Sequence, residues 1–159
     1  MVLSQNDLLA TARQLAGAPS GTSPSQASLR RAVSTTYYAL FHCMAENCAD
    51  MLVGGPGSGQ SRSAWHQAYR ALEHGRAKQR ADQDRLRRFP QEIQDFAKWF
   101  AEMQERRQTA DYDPSVSFTQ SAVIEDIDLA ELRIAQFRRA SERDRRAFAA
   151  FVLFPLRNS

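Results

Sequence analysis

The residues of this sequence with the clearest potential for chemistry lie at positions 106–112, in the run RRQTADY. Two arginines, Arg106 and Arg107, stand within about one helical turn of a carboxylate, Asp111, and a phenol, Tyr112. Arginine suits phosphate recognition because its planar guanidinium donates two parallel hydrogen bonds, and Asp111 adds a group that accepts a proton. A structural interpretation is simpler: an arginine pairs with Asp111 one turn further on, and Tyr112 packs under the next loop.

The three histidines are weaker candidates for a functional site. His42 lies in an apolar stretch, where packing or a hydrogen bond inside the protein is its expected role. His66 and His74 are eight residues apart, roughly on one helix face, and would hold a metal or a proton only with a third group. The sequence contains no Gly-x-Ser-x-Gly, His-Glu-x-x-His, Walker or dinucleotide-binding pattern, so we expect neither a metal nor a cofactor.

The charge balance permits an anionic partner without requiring one. The 159 residues carry a formal charge of +3, and the pI is near 9.2. Arginine supplies nearly all of the positive charge, and it serves phosphate binding and ordinary surface ion pairs alike. The charged stretch at residues 74–88 has the same two interpretations, a solvated helix or loop and a strip that faces phosphate.

The cysteines and the hydropathy pattern indicate a cytoplasmic protein. Cys43 and Cys48 are five residues apart on one predicted helix and point in different directions, so we expect buried free thiols in a reducing compartment. The N-terminus has no basic stretch followed by an apolar run. No window approaches the roughly 18 apolar residues that span a bilayer, and we expect no membrane contact.

The stretch around which the chain is organised covers residues 29–52. Apolar side chains recur there every three or four residues and extend beyond a single stripe, which is typical of a helix at the centre of a bundle. Ser23 is its predicted cap, with Pro24 at the first helical position and Gln26 closing a capping box. The helix should end by Val53, before GGPGSG, which we interpret as a connector because no Gly-Lys-Ser/Thr follows it.

Four further amphipathic helices are predicted around this one. They cover residues 4–16, 61–73, 90–112 and a long stretch from 119 past 148. No segment alternates with the period of a strand, and the chain has no internal repeat. We therefore predict a single domain over residues 1–159, an all-α antiparallel up-and-down bundle of four or five helices. The apolar tail AFAAFVLFP should dock in the bundle or against another chain.

Two short motifs resemble the HEPN superfamily. The run YYALFHCM is preceded by LRRAVST, and ADY closes a later helix. Small bacterial HEPN proteins are similar, with Arg…Tyr-Tyr-Ala-x-Phe-His on a long first helix and Arg-x-x-x-Asp-Tyr at a later helix end. The likeness extends from about residue 23 to residue 148 and implies a HEPN-like bundle that pairs as a two-fold homodimer. The residues of the first motif that we expect to contribute to binding are Arg30, Arg31, Tyr37, Tyr38 and His42.

The resemblance also implies an activity. Active HEPN proteins are metal-independent ribonucleases. Their motif is an arginine followed, after four to six residues, by a histidine. The two copies of this motif meet across the dimer, activate the RNA 2′-hydroxyl and stabilise the phosphorane. Many are toxins paired with a nucleotidyltransferase-type antitoxin. Here Arg106 or Arg107 takes the place of the arginine, and Asp111 stands where the histidine would be, followed by Tyr112. A carboxylate accepts a proton at neutral pH but donates none unless burial raises its pKa.

These observations support two main hypotheses. The first is a homodimer that binds RNA or a nucleotide phosphate in a cleft. Its endoribonuclease activity would be weak or lost. Its candidate catalytic residues are Arg106, Arg107, Asp111 and Tyr112. The alternative is a non-catalytic interaction module that partners a nucleotidyltransferase-type antitoxin or a defence complex. A metal-dependent bundle enzyme ranks last because paired Glu-x-x-His motifs are missing.

Overall fold

The computed structural model describes residues 3–18, 23–72 and 84–154, and within these ranges it is helical with no strand. The helices are α1 (Gln5–Leu15), α2 (Gln26–Val53), α3 (Arg62–Ala71), α4 (Gln91–Tyr112), α5 (Gln120–Arg139) and α6 (Glu142–Leu153), with a 3-10 helix at Asp84–Arg88. The predicted all-α bundle is therefore confirmed. The described part of the chain has six α-helices where four or five were expected, because the long last helix is divided in two.

Helix α2 is the centre of the bundle. It packs against α1, α3, α4, α5 and α6. Tyr37, Leu40, Met44 and Cys48 on this helix are all fully buried. An apolar surface that extends around most of a helix must be covered by neighbours on several sides, and the central position predicted for this stretch is confirmed.

The start of α2 differs from the prediction. The helix begins at Gln26, and Ser25, not Ser23, is its cap, accepting a 3.1 Å hydrogen bond from the Ser28 N–H. The Gln26 side chain does not close a capping box. Its amide instead exchanges two hydrogen bonds, of 2.7 and 2.9 Å, with the backbone of Phe118. The Gln26 side chain, which the local pattern assigns to a capping box, therefore forms a contact between distant parts of the chain instead.

The predicted last helix is two helices separated at Ala140 and Ser141. The Ser141 side chain accepts a 3.1 Å hydrogen bond from the Asp144 N–H and so caps α6. Ser141 is exposed. Phe148 and Val152 of α6 are buried. The apolar tail, as far as the end of α6, therefore docks in the bundle, one of the two outcomes predicted for it.

The remaining elements follow the prediction where the structure describes them. In α3, Trp65 and Ala68 are buried, as expected. Gly54 ends α2 with a φ of +123°, a conformation that glycine adopts readily. His74 and most of the charged stretch at 74–88 lie outside the described residues. None of the described helices is long and apolar enough to cross a membrane.

Candidate functional site

The two neighbouring arginines of α4 point to different helices. Successive residues of a helix are about 100° apart around its axis, so Arg106 and Arg107 cannot share one surface. The Arg106 guanidinium lies 2.6 Å from the Asp126 carboxylate of α5 and 4.7 Å from the centre of a Trp99 ring. The Arg107 guanidinium lies against α2, 5.0 Å from the centre of the Tyr37 ring. The two arginines, which were predicted to line one cleft, therefore lie at two separate places in the fold.

Arg106 is largely neutralised where it lies. Besides Asp126 it has a second carboxylate, Glu102, at 3.8 Å. Burial raises the pKa of Asp126, while the Arg106 charge and hydrogen bond lower it. Glu125 of α5 adds a further carboxylate to the same groove. A phosphate entering this groove would meet more negative than positive charge.

Arg107 is held mainly by aromatic rings. Its guanidinium lies over Tyr37 and is 5.8 Å from the centre of the Tyr38 ring, and its side chain is 15% exposed. The nearest Asp111 oxygen, one helical turn on, is 3.5 Å away, longer than the 2.7–2.9 Å typical of a charge-assisted hydrogen bond. The Nε atom is buried and has no hydrogen-bond partner among the described residues. The predicted Arg–Asp pair exists, but it is loose.

Asp111 has a closer partner that sequence reasoning missed. The Ser34 hydroxyl of α2 donates a 2.5 Å hydrogen bond to one Asp111 oxygen, and Arg107 approaches the other. Ser34, Tyr38 and His42 follow one another at intervals of four and share one side of α2. Ser34 belongs to the LRRAVST run, but a single serine carries no signal of its own. Only the approach of α4 to α2 identifies its role.

Ser34, Tyr37, Tyr38, Arg107 and Asp111 form a cluster at the seam between α2 and α4. The tyrosines in and next to this cluster differ in exposure. Tyr37 is fully buried, and this burial raises the pKa of its phenol, an effect that the nearby Arg107 charge opposes. Tyr38 is 36% exposed, with its ring centre 5.4 Å from that of Tyr37. Tyr112 is 77% exposed. The interpretation that Tyr112 packs under the next loop is therefore wrong, and its phenol is exposed at the residue after Asp111.

The two arginines at the start of α2 also have different environments. Arg30 donates hydrogen bonds to the carbonyl oxygens of Ala110, at 2.8 Å, and of Val116. It thereby satisfies one backbone acceptor at the C-terminal end of α4, where helices leave carbonyl groups unpaired, and one in the segment that follows the helix. Arg31 is exposed. Arg30 therefore supports the chain segment that carries Asp111, whereas Arg31 faces solvent.

His42 belongs to an aromatic cluster between α2 and α3. Its ring stacks on Tyr69 at 5.6 Å and meets the edge of Phe41 at 6.1 Å. Burial lowers the pKa of His42, and its Nδ1 atom has no hydrogen-bond partner in the described parts of the chain. A neutral, half-buried imidazole is thus favoured. Within residues 3–18, 23–72 and 84–154, no three side chains of His, Cys, Asp or Glu are grouped so as to hold a metal ion.

The fold and the cluster together define an all-helical bundle with an arginine, a carboxylate and tyrosines at the seam between two of its helices. No known family model, curated protein or solved structure matches this chain. The resemblance to HEPN proteins therefore depends on the two sequence motifs, and the function must be argued from the geometry.

Proposed function

We propose that the protein is a HEPN-like homodimer that binds RNA or a nucleotide phosphate through Arg107, at the seam between α2 and α4. The observation that carries this proposal is the incomplete neutralisation of Arg107, whose nearest carboxylate oxygen is 3.5 Å away. By contrast, Arg13 lies 2.5 and 2.6 Å from two carboxylates. A phosphate oxygen would compete well for the Arg107 guanidinium and poorly for a fully paired one.

The aromatic side chains favour a nucleic-acid ligand over a bare phosphate. Tyr37 and Tyr38 keep the guanidinium in place, which reduces the entropy that binding would cost. Tyr38 and Tyr112 present exposed phenol rings, and unpaired RNA bases stack on such rings. RNA in a single-stranded or looped form is therefore the ligand that best fits this surface.

The same residues account for our expectation that cleavage is weak. Asp111 would accept the proton of an attacking 2′-hydroxyl, but its oxygens are already engaged by Ser34 and Arg107. As a carboxylate it supplies no proton to the leaving 5′-oxygen, the role for which a histidine is suited. We infer a degenerate metal-independent endoribonuclease of toxin or defence type, in which binding persists better than catalysis.

A two-fold dimer would bring two such clusters together. Tyrosine is enriched at protein interfaces, and Tyr38 and Tyr112 are large exposed side chains beside the cluster. Light scattering on the purified chain should give the mass of a dimer. A monomer that persists at high protein concentration would contradict the homodimer.

RNA binding is best tested with two variants that lose the same charge. Arg107→Ala removes the proposed ligand, and Arg143→Ala removes an exposed arginine on α6. With a labelled hairpin RNA, chelator and two salt concentrations, we expect Arg107→Ala to weaken binding about tenfold more than Arg143→Ala and to abolish any nicking. Circular dichroism verifies the fold. Equal losses in the two variants, or no salt-dependent binding by the natural chain, would refute the proposal.

One observation favours a non-catalytic interaction module instead. Ser34 and Arg107 together engage both oxygens of Asp111, so the cluster also serves as a structural tie between α2 and α4. On this alternative the chain neither binds nor cleaves RNA. It forms a stoichiometric complex with a nucleotidyltransferase-type antitoxin, and Arg107→Ala lowers the stability of the fold without any other loss.

A further inference from the structure

A cavity of about 310 Å³ lies between the second half of α2, the loop at residues 54–60 and the start of α3. Its polar lining includes Glu46, Asp50, Gln60 and Arg62, and Trp65 forms part of its wall. None of these side chains belongs to the cluster at Arg107. The volume is at the lower end of the range for small-molecule sites in proteins.

Asp50 is held in a fixed orientation in this cavity. The Trp65 indole N–H donates a 2.8 Å hydrogen bond to one Asp50 oxygen. Trp65 is itself buried and stacks on Tyr69, with ring centres 5.2 Å apart. The rigid indole therefore determines where the carboxylate points, and the other carboxylate oxygen has no donor within residues 3–18, 23–72 and 84–154.

The charge of Asp50 is poorly compensated. Among the described residues it forms no ion pair, and Arg145 acts on it only as a nearby charge. Burial raises the pKa of this carboxyl group. A carboxylate that is partly removed from water without a close cation is costly, and a bound cation would remove that cost.

Two more residues that carry acceptor groups, Gln60 and Glu46, line the same cavity. The Gln60 Oε1 atom is buried and has no hydrogen-bond partner in the described ranges. Glu46 accepts a 3.2 Å hydrogen bond from the Gln5 amide through one of its two oxygens. Among the described residues Arg62 is the one arginine of the lining, and His66 also lines the cavity. The described lining therefore offers several acceptors, with two carboxylates against one arginine.

We propose that this cavity binds a small organic cation, an ammonium or guanidinium group paired with Asp50 and hydrogen-bonded by Gln60 and Glu46. Such groups carry three and five N–H donors and no acceptor, which matches the lining. The cation is either a free amine or the side chain of a lysine or arginine from another protein. The proposal is independent of RNA binding at Arg107.

Calorimetry with agmatine, which carries both an amine and a guanidinium group, tests the site. We expect a Kd of about 1 mM or lower for the natural chain. Asp50→Asn keeps an oxygen for the Trp65 hydrogen bond but removes the charge, and it should weaken binding by about tenfold or more. The matched control Glu92→Gln, at an exposed position of α4, should leave binding unchanged.

The indole N–H signal of Trp65 in NMR spectra gives a second readout. It should move on addition of agmatine, whereas the signal of Trp99, the other tryptophan, should not. No agmatine binding, a Trp65 signal that does not move, or equal weakening by Asp50→Asn and Glu92→Gln would overturn the proposal.

A short acetylated and amidated Gly-Arg-Gly peptide distinguishes the two sources of the cation. Binding of agmatine alone identifies a free amine, and binding of both probes identifies a protein side chain. RNA affinity should be the same with and without Asp50→Asn, so that failure here leaves the proposal for Arg107 standing.

Discussion

The Ser34 hydroxyl donates a 2.5 Å hydrogen bond to the Asp111 carboxylate, joining α2 to the C-terminal end of α4 across 77 residues of chain. The other Asp111 oxygen lies 3.5 Å from the Arg107 guanidinium, and at this distance the carboxylate neutralises the arginine only in part. The same contact links the stability of the helix pair to the charge available for a ligand.

Removal of this hydrogen bond should affect both stability and binding. We expect Ser34→Ala to lower the free energy of unfolding by about 1 kcal/mol, since the acceptor is a carboxylate but the hydrogen bond is partly exposed to solvent. The freed Asp111 should move toward Arg107 and weaken RNA binding. Urea unfolding and fluorescence anisotropy measure the two effects. Thr35→Ala serves as control, because among the described residues that hydroxyl bonds only to the Arg31 carbonyl of its own helix.

The neighbouring arginines of α2 should respond very differently to substitution. Arg30→Ala leaves the Ala110 carbonyl oxygen of α4 and the Val116 carbonyl oxygen beyond it without this donor, and we expect a loss of about 1.5–3 kcal/mol in unfolding free energy. Hydrogen exchange should also become faster around residues 113–118. Arg31→Ala removes an exposed side chain and should cost less than about 0.5 kcal/mol. Similar losses in the two variants would show that Arg30 does not support this segment.

Asp50 should make the stability depend on pH in an unusual direction for a carboxylate. Burial raises its folded-state pKa above the ordinary value of 3.8, so its charged form opposes folding. Stability from this group is fully present below pH 3.8 and is lost as the pH rises through the raised pKa. Asp50→Asn should therefore be more stable than the natural chain at pH 7, by a margin that shrinks toward pH 4. Urea unfolding midpoints of both proteins between pH 4 and pH 7 test this prediction. A stability difference between them that grows on acidification would contradict it.

The division between α5 and α6 depends on a single cap. Ser141→Ala removes the hydroxyl that accepts from the Asp144 N–H and donates to its carboxylate at 2.8 Å. We expect a loss of about 0.5–2 kcal/mol in unfolding free energy. Ser141→Asp, which keeps an acceptor at the cap, should retain most of the stability. A variant with alanine that is as stable as the natural chain would mean that packing alone maintains the break.

The two cysteines should be inert in the folded protein. Cys43 and Cys48 are buried and free, as predicted, and burial raises the pKa of each thiol to about 12. The thiolate is the reactive form, so very little of it is present at pH 8. A thiol reagent should label both residues at the rate of unfolding. Labelling that is fast without denaturant would contradict this account.

Local patterns in the sequence were enough to predict the all-α bundle and its centre. The apolar positions of residues 29–52 extend around most of a helix, and the burial of Tyr37, Leu40 and Met44 follows from that pattern. The predicted start of the first helix at residue 4 is close to the observed one, where Ser4 caps α1 through the N–H group two residues away. Such features depend on residues that are close in the chain.

Features that depend on distant residues were missed or misplaced. Gln26 looks like part of a cap until Phe118 takes its amide. The Ser141 cap is itself a local feature, but it was missed because the continuous helical pattern around it is local too, and local rules cannot rank the two. Helical periodicity separates Arg106 from Arg107. Only the docking of α4 beside α2 and α5 decides that Arg107 meets Tyr37 while Arg106 meets Asp126, because helix packing, not chain order, determines which side chains become neighbours.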